Sequence, residues 1–337
     1  MQFEEKISVI VTTYNQEHTI GRTLDSILMQ RCHLPIEIVL GEDASADNTR
    51  RVCEDYAVRY PDVVRLMPKA PNKGIVDNYF DCLLACHGKY IADCAGDDYW
   101  TDPEKLEKES RMMDANPDMT IVHTNWRNYH EDTRRTEING HVWFDAPVTD
   151  GKLMLEAIAT QTVAPVIHLC TALYRADAIR RCYDADPKLF RNKEYGCEDM
   201  QIAFMLALNG KVGYIPDATM VYSIGKPSVS FSADSHKQFV FVRRTTSLSW
   251  TLAQHYAVNT DNTEAFFAKR AFELMMHAFR SGDNMLAVEA GDCMAAWGVR
   301  PNFKIKVVWF VMSDNLLWKA ALAARRLFVG IKRLAHR

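Results

Sequence analysis

Residues 7–11 read I-S-V-I-V, and residues 37–43 read E-I-V-L-G-E-D. The first run is short and rich in β-branched residues, which predicts a strand buried on both faces. The second predicts another strand that runs into a cluster of turn-formers and acids, G-E-D-A-S-A-D-N-T at 41–49. Between them Ile20, Leu24, Ile27 and Leu28 mark one apolar helical face, with Asn15 as a cap and an end near Gln30. The alternation continues outward. A helix is expected at about 49–60 and a strand at 63–67. A helix opened by Asn72 follows to about 86 with Gly88 as C-cap, and then a strand at 89–92. This order implies an α/β fold with a doubly wound, mixed and mostly parallel sheet. Ligands in such sheets sit outside the carboxyl ends of the strands, and every polar cluster named here falls at one.

The second part of the chain is more varied. Residues 121–126 and 168–174 read as strands, 200–208 as a buried helix closed by Asn209-Gly210, and 212–215 and 219–223 as two short strands. Beyond about Phe231 the pattern is helical, at 236–255, 263–280, 285–296 and 315–336. A soft boundary near Ser235 divides an α/β domain, 1–235, from a helical C-terminal region, 236–337.

Composition narrows the class. The 337 residues carry a formal charge of −3, with 48% hydrophobic and 25% charged residues, which fits a globular protein and excludes a strongly basic nucleic-acid binder. The balance is uneven. From Phe303 to Arg337 there are eight Lys/Arg against Asp314, a net of +7, so the rest carries −10. The nine Cys are scattered with no C-x-x-C pair, which predicts reduced thiols and a cytoplasmic setting. Met1–Lys6 is polar and does not read as a secretory leader, and no apolar run reaches the ~18–20 residues of a membrane span.

Three clusters could carry chemistry. Gly96-Asp97-Asp98 follows a strand. Adjacent carboxylates repel, and a cation relieves that; oxygen ligands favour Mg²⁺ or Mn²⁺ shared with a substrate phosphate. Adjacent Asp residues also occur in plain exposed turns. At the second strand tip, Asp47 or Asn48 fits a helix cap, whereas Asp43 is placed to accept from a ribose hydroxyl or a base N–H. Thr12, Tyr14 and Asn15 offer a hydroxyl, a stackable ring and an amide, while Asn72 and Lys73 add a loop with one cation. Glu198-Asp199 precedes the apolar helix M-Q-I-A-F-M-L-A-L. The helix dipole alone favours acids there; a general base facing the sheet edge is the functional alternative.

These pieces, in this order over residues 7–230, resemble the family-2 glycosyltransferases of the nucleotide-diphosphosugar fold. V-I-V-T-T-Y-N-Q-E resembles the family's opening strand and nucleotide-facing loop. L-G-E-D-A-S-A-D-N-T resembles its Asp-x-Ser-x-Asp turn, and G-K-Y-I-A-D-C-A-G-D-D-Y-W its acidic metal-binding loop. C-E-D-M-Q-I-A-F-M-L-A-L resembles the segment that supplies the base. The resemblance implies that Thr12, Tyr14, Asn15, Asp43, Asn72 and Lys73 hold a nucleotide-sugar donor with uridine as the expected base. Asp97 binds the metal, Asp98 supports metal or donor, and Asp199 deprotonates the acceptor with Glu198 orienting. It further implies an inverting hexosyl- or N-acetylhexosaminyltransferase that needs no protein nucleophile, with a glycan or lipid-linked glycan as acceptor.

Two positions depart from the family pattern. Ala95 stands where many members have a further carboxylate, and Gly225 stands near the place of a frequent His, with Lys226 or His236 as substitutes. A nucleotide-sugar-binding relative with weakened catalysis is the alternative reading. A sugar-phosphate nucleotidyltransferase is another, but the first loop, T-T-Y-N-Q-E, lacks the Gly and cations a triphosphate needs. In the tail, Leu317, Ala321, Ala324, Phe328, Ile331 and Ala335 share one helical face, with Lys319, Arg326, Arg333 and Arg337 opposite. Trp309, Phe310 and Trp318 add aromatics upstream. This predicts peripheral contact with an anionic membrane through 304–337, at the inner face; packing on the body is the alternative.

Overall fold

The computed structural model describes residues 3–140, 146–161, 166–225 and 234–324. Lys226 and the tail from Arg325 onward lie outside them. The chain divides into two compact units, Met1–Gly225 and Lys226–Arg337, where the sequence places a boundary near Ser235.

The first unit begins with β1 (Glu4–Thr13), α1 (Ile20–Leu28), β2 (Ile36–Glu42), α2 (Thr49–Arg59), β3 (Val64–Leu66), α3 (Ile75–Ala85) and β4 (Gly88–Asp93). It continues with β5 (Tyr99–Trp100), α4 (Lys105–Ala115), β6 (Met119–His130), β7 (Arg135–Ile138), β8 (Val148–Asp150) and α5 (Leu155–Thr160). The last elements are β9 (Ala172–Arg175), α6 (Ala176–Ala185), α7 (Pro187–Phe190), α8 (Asp199–Leu208) and β10 (Lys211–Ile224). The sheet runs β3-β2-β1-β4-β9-β6-β10-β5. β3, β2, β1 and β4 are parallel neighbours, as are β6 and β10, while β9 lies antiparallel between β4 and β6. The order reverses after β1, because β4 lies on the side of β1 opposite β2. Such a switch point opens a crevice at the carboxyl ends. Ile7, Val9, Ile10 and Val11 of β1 are at most 1% exposed, so this strand is covered on both faces.

Several local expectations change. Asn15 does not cap α1; its φ is +53°, its N–H donates to Ser45 Oγ at 2.9 Å, and its Oδ1 accepts from the Ala46 N–H at 2.8 Å. The N-cap of α1 is Thr19. Gly88 opens β4 rather than capping α3, and α3 starts at Ile75, not at Asn72. Residues 168–174 hold a 3₁₀ turn, Leu169–Thr171, before β9. The two short strands at 212–223 are one, β10, whose pairing with β6 slips between Ile215 and Ala218. Pro216 stands in that slip, and its missing N–H is what makes the sequence read as interrupted.

The second unit is helical: α9 (Ser235–His255), α10 (Asp261–Ser281), α11 (Asn284–Ala296), α12 (Phe303–Ser313) and a further helix over Asn315–Ala324. Phe239, Leu274, Met275, Ala290, Met294, Ile305 and Trp318 form its core. Trp318 is 4% exposed and donates to Phe279 O at 2.9 Å, so it is a core residue rather than an interfacial aromatic. Helix α12 is not expected from the sequence, because apolar residues run round it without a clear stripe. Among the described residues no single helix is long and apolar enough to cross a membrane; α12 and Asn315–Ala324 meet at a bend of 110°.

Candidate active site

The carboxyl end of β2 places Asp43 beside the loop before α3. Asp43 is 6% exposed; Oδ1 accepts from the Lys73 N–H at 2.7 Å and Oδ2 from the Gly74 N–H at 2.8 Å. Its carbonyl accepts from Asn72 Nδ2 at 2.7 Å. Gly74 has φ +81°, a conformation that favours glycine and lets two successive N–H groups face one carboxylate. Asp43, Asn72 and Lys73 therefore form one assembly. Lys73 does not present a free cation there, because Nζ pairs with Asp81 at 2.6 Å. Asp81 also binds Arg191 at 2.5 Å, and Asp77 binds Arg191 at 2.8 Å and Lys193 at 2.7 Å. This ionic network ties the loop and α3 to the segment that leads into α8. Asn48 is the N-cap of α2, and Asp47 one residue earlier accepts from Thr49 N and Oγ1. Tyr14 is half exposed.

The acidic loop after β4 is fixed by its neighbours. Asp98 is 1% exposed, and its Oδ1 accepts from the Ser223 N–H on β10 at 3.0 Å. The Asp97 carbonyl accepts from Arg22 Nη2 and Ser223 Oγ, both at 2.9 Å, and the Arg22 guanidinium stacks on Tyr99 at 4.0 Å. Arg22 sits on the polar face of α1, where an exposed cation carries no signal of this role. Burial pushes the Asp98 carboxyl far above its usual range, and the Asp97 charge adds to it. Burial, then the charge of Glu131, raises Asp97. Glu131 follows β6, donates its N–H to Ile224 O at 3.1 Å, and its carboxylate fills the space a side chain at Gly225 would need. Trp100 Nε1 donates to Cys170 O at 3.0 Å, and Lys105 Nζ lies 4.6 Å from the Trp100 ring centroid. Lys105 and its partner Glu109, at 2.6 Å, are both fully buried.

Glu198 and Asp199 open α8, whose residues Met200–Ala207 are all buried. Asp199 Oδ1 accepts from the Met200 N–H at 2.7 Å. Asp199 reaches solvent, yet both acids sit deep in a cleft walled by protein. Glu198 is pushed up to about 8 by burial, then by the Asp199 charge, then by Asp93; burial also raises Asp199. Burial and mutual repulsion therefore favour a proton on the pair, as expected of two acids that share a site. A cavity of about 40 Å³ joins them to Thr12, Tyr79, Asp93, Ala95 and Cys170. A larger pocket of about 260 Å³, lined by Ile27, Gln30, Leu34, Ile36 and Val63, lies at the amino-terminal end of β2, away from the carboxylates.

The donor set for a cation divides in two. Asp97 and Asp98 offer oxygen atoms whose raised affinity for protons reflects burial first and neighbouring negative charge second, and a divalent cation would relieve both. Ligand atoms of Asp98, His168 and Cys170 also lie within 4.8 Å of one another. Burial keeps His168 neutral, at about 4, and keeps the Cys170 thiol protonated. A sulfur ligand suits softer metals than Mg²⁺ or Mn²⁺, so the oxygen pair is the better fit.

A crevice lined by acids at the switch point of an open α/β sheet defines the class of enzymes that handle nucleotide-linked substrates. Within that class, the sequence model of glycosyl transferase family 2 matches residues 8–182, and the chain belongs to that family. An uncharacterized protein of Mycobacterium tuberculosis, Rv1520, is 40% identical over 126 residues, covering 37% of this chain and 36% of its own length. The match thus spans about a third of that relative. Two solved structures share the fold. Staphylococcus aureus TarS 1-349 in complex with UDP-GlcNAc has a TM-score of 0.56 at 17% identity, covering 96% of this chain and 92% of that one. The mannosyltransferase PcManGT of Pyrobaculum calidifontis, in complex with GDP-Man and Mn²⁺, has 0.53 at 16% identity, covering 95% and 88%.

Proposed function

We propose that the protein is an inverting, metal-dependent glycosyltransferase that moves a hexosyl or N-acetylhexosaminyl group from a nucleotide sugar to a hydroxyl of a glycan or lipid-linked glycan. The observation that carries this reading is the cavity shared by Glu198, Asp199, Thr12 and the end of β4. It joins a pair of buried, mutually repelling acids to the strand ends where a donor would bind.

Asp199, the more exposed acid, takes the proton from the acceptor hydroxyl. The acceptor oxygen forms its bond to the anomeric carbon as the bond to the diphosphate breaks, in line and from the opposite face. One displacement inverts the configuration. The proton stays on Asp199, and the nucleoside diphosphate leaves with the bonding pair. Glu198, protonated at neutral pH, donates a hydrogen bond that orients the donor or acceptor. Asp43, with Asn72 and the Lys73–Gly74 backbone, forms the nucleoside wall, joined by Thr12, Asn15 and the exposed Tyr14 ring. The UDP-GlcNAc complex of TarS favours uridine; the GDP-Man complex of PcManGT shows that the fold also takes guanosine. Asp97, with Asp98 behind it, would hold Mg²⁺ or Mn²⁺, which supplies charge neutralisation to the leaving diphosphate. The Mn²⁺ in PcManGT supports that choice.

The protein acts at the cytoplasmic face of a membrane in this reading. Phe303, Val307 and Phe310 recur at i, i+4 and i+7 along one side of α12, and all three are exposed beside Lys304 and Lys306.

The test is Asp199→Asn with a panel of nucleotide sugars, Mn²⁺, and donor hydrolysis or transfer as readout. Turnover should fall about 10²–10⁴-fold with donor binding retained. Undiminished turnover would remove Asp199 from the mechanism.

A further inference from the structure

Asp93 is the last residue of β4, is 5% exposed, and neither carboxylate oxygen has a hydrogen-bond partner. The hydroxyls of Tyr79 and Tyr174 bond each other at 2.9 Å, and both lie close enough to Asp93 to offset part of the effect of its burial. Buried acids are normally paired, because an unpaired carboxylate away from water is destabilising. This one lines the cavity that contains Glu198 and Asp199. Ala95 lines the same cavity. Side chains alternate along an extended strand, so positions 93 and 95 share a side. An acid at 93 and a methyl group at 95 thus divide the wall that an acid at 95 would otherwise dominate.

We propose that Asp93 hydrogen-bonds a hydroxyl of the sugar being transferred and so helps select that sugar, standing in for the carboxylate that position 95 lacks. The inference rests on the donor-sugar reading above. The cavity holds an arm of a sugar, a hydroxyl or hydroxymethyl, rather than a whole ring, and its walls Ile10 and Leu169 are apolar beside the acids Asp93, Glu198 and Asp199. Burial holds the Asp93 carboxyl at about 7, so near neutrality both protonation states are present and the group can accept from, or donate to, a hydroxyl. A site built around such a group rejects analogues that lack the matching hydroxyl, because the buried polar atom is then left unpaired.

The experiment compares binding of UDP or GDP alone with binding of their sugars, by calorimetry on the full chain with Mn²⁺. Asp93→Asn should leave affinity for the nucleotide diphosphate within about twofold and weaken the preferred nucleotide sugar at least about tenfold. Placing Ala95→Asp in an Asp93→Ala background should restore part of that loss. Thermal unfolding separates a binding role from a structural one. Asp93→Leu removes a buried acid without an ion-pair partner and should melt no lower than the parent, whereas a structural acid would lower the melting temperature. Equal losses for nucleotide and nucleotide sugar, or none for either, would overturn the assignment while leaving the donor reading intact. A parent protein that binds no nucleotide would overturn both.

Discussion

Replacing Lys105 by Met removes the cation from a fully buried pair. Lys105 and Glu109 lie one turn apart in α4, 2.6 Å from each other, and Glu109 Oε1 has no other partner. Removing one member of a buried pair typically costs roughly 3–5 kcal/mol, because the other charge is left uncompensated. The loss depends on pH. Burial, opposed by Lys105, places Glu109 at about 7, above the 4.5 of the unfolded chain. At pH 5.5 most Glu109 is already protonated, so little ionic attraction is lost; at pH 8 the pair is ionised and the full penalty applies. Urea unfolding of Lys105→Met at the two pH values should show the larger loss at pH 8. The Lys105→Met, Glu109→Leu double variant should recover most of it, since a well-packed apolar pair often replaces a buried ionic one without loss. Equal losses at both pH values, or a double variant as unstable as the single one, would refute this account. The consequence reaches the site, because Lys105 also lies over Trp100, which anchors the acidic loop to Cys170.

Glu198 gives a second pH prediction. Its folded value, about 8, lies above the unfolded 4.5, so the folded chain binds more protons between those limits and stability falls as pH rises across them. The urea midpoint should therefore drop from pH 5 to pH 8, and the drop should be smaller in Glu198→Gln; an identical slope would remove Glu198 as a contributor. For the membrane surface, the full chain should sediment with phosphatidylglycerol vesicles in low salt, and Phe303→Glu with Phe310→Glu should release it; unchanged sedimentation would exclude α12 as the contact.

The parts of the fold that the sequence makes plain are those where one interaction dominates. β1, β2 and β4 are short apolar runs buried on both faces, and nothing local competes with that signal. The missed details are those decided by distant partners. Asn15 has the composition of a cap, but Ser45 and Ala46, thirty residues on, fix it at positive φ. β10 reads as two strands because Pro216 cannot donate, although β6 holds it as one. The same contrast governs the site. Asp43, Asp97, Glu198 and Asp199 stand out because acids gather at strand or helix ends. Lys73 was read as a free cation because its partner Asp81 is a neighbour only on the folded helix. Asp93 lies within what reads as an ordinary strand, and only its burial at the cavity of Glu198 and Asp199 distinguishes it.

The bond from Ser223 to Asp98 joins residues 125 positions apart. Chains emerge from the ribosome at roughly 5–20 residues per second, so the acidic loop is made roughly 6–25 s before the strand that clamps it. Late in that interval β6 has its partner β9 but lacks β10, and the Asp97 and Asp98 carbonyls are held from α1 by Arg22 and Thr23. A nascent chain halted before Ser223 carries Asp97-Asp98 without that clamp. Competence in this enzyme is therefore a late event in its synthesis, conferred by nearly the last residue of its sheet.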